Sequence, residues 1–149
     1  MKVIRIIATI LVSVGMAFIL ACGDEKTASI KGNEDIVAVL QKIPECSNNA
    51  ETPMEIYTDN AILKYQDLTT GKMVELIGPK AIGSYRRERG KRTSISRVSI
   101  SSIVREADTA HVKFKITERG KLDWDYSCSA ELVKEGQTWR IKKETVEWM

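Results

Sequence analysis

The chain is poor in the residues that carry most enzyme chemistry. It has one histidine, His111, and three cysteines, Cys22, Cys46 and Cys128, in 149 residues. A single imidazole removes most metal clusters and leaves one base for a nucleophilic triad, and its strand neighbours, Lys113 and Lys115, point to an exposed sheet residue. No C-x-x-C occurs, which excludes a thioredoxin-like redox motif. Glycine-rich phosphate loops, nucleotide fingerprints, G-x-S-x-G and H-E-x-x-H are also missing. The apolar run from Ile6 to Leu20 is shorter than the roughly 20 residues of a spanning helix, and Thr9, Ser13 and Gly15 dilute it. An excess of one charge is lacking as well. Of 23 Lys plus Arg, two lie ahead of that run, leaving near balance with 20 Asp plus Glu and no broad electrostatic case for nucleic acid.

What is present begins with export. Lys2 and Arg5 precede the apolar run, and the first carboxylates, Asp24 and Glu25, follow Cys22. This is the order of a secretory signal. Ile19-Leu20-Ala21-Cys22 resembles the lipobox of bacterial lipoproteins, in which a small residue precedes a cysteine that is acylated and becomes the new N-terminus. The resemblance implies a lipoprotein signal peptide over 1–21, lipidation at Cys22, and a membrane anchor facing the periplasm. Two or three acyl chains make such an anchor stable, since each buried methylene contributes about 0.8 kcal/mol. Gly23 after the cysteine favours the outer membrane over the inner one. Residues 22–33 are polar and aperiodic, and read as a tether spanning roughly 18 Å as a random coil.

If Cys22 is acylated, Cys46 and Cys128 remain as an even pair in an oxidising compartment. They could form a disulfide, or stand as two buried thiols packed as small hydrophobes.

The rest of the chain, 34–149, reads as one domain. Ile36, Val37, Leu40 and Ile43 follow helical spacing after Asn33, and Pro44 ends or kinks that helix. Thr52-Pro53-Met54-Glu55 has the order of a capping box. A short strand over 61–65, a turn at Thr69-Thr70-Gly71-Lys72, a strand over 73–77 and a helix from Gly78-Pro79 through Tyr85 come next. The second half then alternates. Ala110, Val112, Phe114 and Ile116 share one face, as do Leu122, Trp124, Tyr126, Cys128, Ala130 and Leu132. Glu135-Gly136 turns the chain into Trp139 and Ile141. Val98 and Ile100 keep one parity and Ile103 the other, which a bulge near Ser101 would reconcile.

Helices first and long antiparallel strands afterwards give an α+β class. At Tyr57-Thr58-Asp59-Asn60-Ala61-Ile62-Leu63, Gly78-Pro79-Lys80-Ala81-Ile82 and the ending Leu132 to Ile141, the chain resembles the nuclear transport factor two-like superfamily, SnoaL-like proteins included. The resemblance implies a strongly curved antiparallel sheet wrapped around N-terminal helices as a cone, with a pocket inside. Apolar parity lines that pocket with Tyr57, Tyr85, Val112, Phe114, Trp124, Tyr126 and Trp139. Family enzymes place an aspartate or histidine there, and no carboxylate is expected on these faces, so neither a catalytic residue nor a metal or other cofactor is assigned.

Asp123 and Asp125 read as a solvated strand face. Arg86-Arg87-Glu88-Arg89-Gly90-Lys91-Arg92 is the one concentrated charge run, read as a loop whose Arg86, Arg87, Arg89, Lys91 and Arg92 could meet anionic lipid or an acidic partner. The sequence therefore describes an envelope module that binds another protein, itself as a homodimer, or a small hydrophobic ligand, without covalent chemistry. An isomerase- or dehydratase-like enzyme is the remaining reading.

Overall fold

The computed structural model describes residues 30–149. The expected signal peptide, Cys22 and most of the expected tether lie outside the described residues. No helix among those described is long and apolar enough to cross a membrane.

Helix α1 spans Glu34–Gln41 and buries Ile36 and Leu40. Pro44 does end it: a 3-10 helix, Ile43–Ser47, carries the proline in its first turn and buries Ile43 and Cys46. Helix α2, Thr52–Ile56, differs from the expected capping box. Thr52 is already inside the helix, and no side chain caps it. Buried Thr52, Pro53 and Ile56 hold it by packing instead. Strand β1, Tyr57–Gln66, starts where α2 stops, so Asp59-Asn60 lies within a strand. Strand β2 is Met73–Ile77.

Helix α3 spans Pro79–Gly90, with Pro79 in its first turn. It runs five residues past the expected end at Tyr85, so the basic run is mostly helical. The Gly78 before it has φ of 84° and donates its N–H to the Ala61 carbonyl at 2.8 Å, a left-handed turn that a side chain would strain. Strands β3 (Ser94–Glu106), β4 (Thr109–Arg119), β5 (Trp124–Glu135) and β6 (Thr138–Trp148) complete the chain.

The six strands form one sheet in the order β2-β1-β6-β5-β4-β3. All neighbours are antiparallel except β1 and β6, which run parallel, with Leu63 beside Glu144. The sheet is curved and unclosed, and the helices pack on one face of it. Bulges set the curvature. In β3, Ile100 faces Phe114 and Ser102 faces Lys113, which leaves Ser101 as the extra residue where the change of parity requires it. Its hydroxyl donates to the Lys113 carbonyl at 2.9 Å, as Ser96 does to Thr117 at 3.1 Å at a second irregularity. In β6, Leu132 faces Ile141 while Glu131 faces Lys143, so Lys142 is extra and every later residue changes face.

The core runs between the helices and the inner face of β1 and β3–β6, with Trp139, Tyr57, Leu63, Leu132 and Ile141 among its largest side chains. The Trp139 indole donates to the Asp35 carboxylate at 2.7 Å and lies 5.0 Å beneath Arg105, fixing α1 to the sheet. Arg105 also reaches the Gly32 carbonyl at 3.4 Å, so the N-terminal segment enters at that end of β3.

Candidate functional site

Helix α3 turns Arg86 and Arg89 into the interior, where each meets a carboxylate from the sheet. Arg86 donates through one guanidinium nitrogen to both Glu144 oxygens, at 2.7 and 2.8 Å. Tyr57 donates to the same carboxylate at 2.5 Å and accepts from Arg86 at 3.0 Å. All three are buried, Glu144 completely. Arg89 grips Glu118 in a two-pronged pair, at 3.1 and 2.6 Å, the geometry that suits a guanidinium to a carboxylate. It also donates to the hydroxyls of Tyr126 at 2.5 Å and Tyr85 at 3.2 Å. Thr93 and Tyr126 donate to Glu118 at 3.2 and 3.3 Å.

Electrostatics follow from this packing. Burial opposes charge on both arginines, but Glu144 beside Arg86 and the Glu118 hydrogen bond to Arg89 outweigh it, so both stay protonated far above neutrality. Burial pushes the Tyr126 phenol up to about 12 and Tyr57 well above its ordinary value. Each of these interior carboxylates is thus matched by a permanent cation and accepts hydrogen bonds at both oxygens. A general base near neutral pH needs a lone pair facing a substrate, and here those lone pairs face the protein's own donors.

The expected pocket is correspondingly filled. A cavity of about 20 Å³ remains between Leu63, Tyr85, Arg86, Arg89, Ile116, Glu118, Tyr126 and Val146, about the size of a water molecule. Of the residues expected to line a pocket, Tyr85 and Tyr126 border this cavity. Tyr57, Val112, Phe114 and Trp139 are core packing, because the large side chains of the helices and sheet interdigitate where a ligand would sit. Trp124 lies at the rim, edge-on to Trp148 with ring centroids 4.6 Å apart.

Three expectations are corrected. The interior does hold carboxylates: Glu118 continues the parity of Ala110 to Ile116 and was legible from it, whereas Glu144 reaches the inner face only through the bulge at Lys142. The basic run is not a uniformly exposed loop, since Arg86 is buried and Arg89 partly so, both occupied by the interior pairs; Lys91 and Arg92 are exposed and Arg87 is half-buried. Cys46 and Cys128 are separate buried free thiols, not a bridge. Cys46 leans on the Lys42 carbonyl of the helical layer and Cys128 on the Tyr126 carbonyl of the sheet.

Outside, His111 is exposed on β4. With Lys113, Ser129, Glu131, Lys143 and Thr145 it borders a groove of about 400 Å³ on the outer sheet face. Asp125 on this face is held by Lys115 at 2.5 Å and Thr117 at 2.8 Å, while Asp123 is exposed. Among the described residues no group of three or more His, Cys, Asp or Glu side chains converges as a metal site.

No protein-family model matches the chain, and no curated protein does. Solved structures are similar to it. An NTF-2-like protein of unknown function from Silicibacter pomeroyi DSS-3 superposes with a TM-score of 0.62 at 11% identity, over 78% of this chain and 94% of that one. An NTF2-like protein from Cytophaga hutchinsonii ATCC 33406 gives 0.61 at 15% identity, over 79% and 98%. A DUF4783 family protein from Bacteroides ovatus ATCC 8483 gives 0.56 at 12% identity, over 74% and 92%. Helices packed on a curved, unclosed six-stranded sheet, with this degree of superposition, give the chain the α+β cone fold of these NTF2-like proteins.

Proposed function

We propose that this protein is a bacterial lipoprotein, anchored through Cys22, whose cone-like domain acts in the cell envelope as a non-catalytic interaction module. The observation that carries the non-catalytic part is the occupied interior. Two arginine–carboxylate pairs and their tyrosines fill the space where enzymes and carriers of this fold hold small molecules, leaving about 20 Å³. The fold itself hosts enzymes and non-enzymes alike, so the reading rests on that packing and not on the likeness. The outer sheet face, with its groove beside Lys113 and Lys143, is the surface through which such a module would meet another envelope protein.

A photoreactive amino acid in place of exposed Lys113 is expected to trap discrete protein adducts in cells. A Cys22→Ser chain is expected to lose its acyl mass and to leave the membrane fraction. Unchanged fractionation and maturation would reject the anchor; absence of adducts at Lys113 would reject the outer face as the working surface.

A further inference from the structure

The filled interior has an outward-facing counterpart at the same end of the cone. The loop after α3 and the β4–β5 loop border an open concavity of about 510 Å³, lined by Arg92, Thr93, Lys121, Leu122 and Trp124. That volume falls within the range of roughly 300–1,000 Å³ typical of small-molecule sites. Thr93 in its lining is fixed from within, donating to the Glu118 carboxylate that Arg89 holds. Its apolar wall is unusually open to solvent, with Leu122 64% exposed. The Trp124 ring is braced edge-on by Trp148, whose strand end is tied down by the Met149 N–H to the Asp125 carbonyl at 3.3 Å.

The rim is cationic. Arg92 and Lys121 are both exposed, and neither has an ion-pair partner among the described residues. Glu88, the nearest carboxylate on α3 to feel Arg92, is held by Lys91 at 2.6 Å; Asp123, in the β4–β5 loop, is exposed. An indole and an isobutyl side chain below two uncommitted cations select a ligand with an apolar body and an anionic head. We infer that this shelf binds an amphiphilic anion, an aliphatic or aromatic body ending in a carboxylate. The burial of Leu122 and Trp124 supplies the attraction, and Arg92 and Lys121 supply the preference for negative charge.

The shelf lies at the Ser94 end of β3, whereas the N-terminal segment enters beside Arg105 at the other end. Thirteen residues of strand separate the ends, up to about 40 Å along the chain. The shelf shares no lining residue with the outer-face groove.

The test uses the full chain in phosphatidylcholine nanodiscs and a diazirine-bearing dodecanoate as photoprobe, with labelled peptides mapped by mass spectrometry. Label is expected on the peptides carrying Leu122 and Trp124, displaced by dodecanoate and not by dodecyltrimethylammonium. Arg92→Glu with Lys121→Glu, at two exposed positions, is expected to weaken labelling about tenfold with unchanged circular dichroism. Label scattered over the outer sheet, equal displacement by the cationic amphiphile, or indifference to the charge reversal would overturn the site. Labelling that appears only when phosphatidylglycerol is added would overturn it in favour of a contact with an acidic leaflet.

Discussion

Glu144 shows how much one buried charge can depend on its partner. It is fully buried and held by Arg86 and Tyr57, so replacing it with leucine strands a guanidinium in the core. Removing one member of such a pair costs about 3–5 kcal/mol, while replacing both with apolar residues is often near neutral. Urea unfolding of Glu144→Leu should show that loss, and Arg86→Met with Glu144→Leu should restore most of it; additive losses would contradict the pairing. A second residue-scale effect is alkaline. Burial pushes Cys46 up to about 11 from an ordinary 9.0, and Tyr126 up to about 12 from 10.0. The unfolded chain releases these protons at the ordinary values and the folded chain holds them longer. Stability is therefore full below about pH 9 and declines as pH rises from about 9 to about 12. Thermal midpoints measured across that range should fall for the wild type, and Cys46→Ala and Tyr126→Phe should each flatten the decline.

At the scale of elements, hydrophobic period was a good guide wherever a segment obeyed one period throughout. The long β4 and β5 alternations and the Ser101 bulge were legible because inward residues recur on both sides of any break. The end of α3 was not, because Arg86 and Arg89 occupy inward positions that periodicity assigns to apolar residues. Glu144 was hidden for a related reason: the one extra residue in the ladder, Lys142, reverses the parity of all that follows. Close approach was equally invisible. A Cβ on Gly83 would stand 2.9 Å from the Pro53 ring, where α3 crosses α2. A glycine-to-alanine change inside a helix ordinarily stabilises it by about 1 kcal/mol. Gly83→Ala should instead lower the thermal midpoint, and adding Pro53→Ala should recover part of the loss, as differential scanning calorimetry would show.

For the whole molecule, sequence reading reached the α+β cone but not its interior. The side chains expected to surround a ligand pack against one another, and charges drawn from a run that read as surface close the remaining space. The strand order has one more consequence. β6 comes last in chain order among the six described strands, yet it lies in the interior of the sheet, parallel to β1 and antiparallel to β5. Without residues 138–148, β2-β1 and β5-β4-β3 share no strand neighbour, and only the helical layer touches both. The sheet therefore becomes one piece only when β6 is in place, whatever the order in which the other strands form. A chain ending at Gln137 should show no cooperative melt and should be digested rapidly by protease; a protected, cooperatively melting fragment would show that the halves assemble without their keystone.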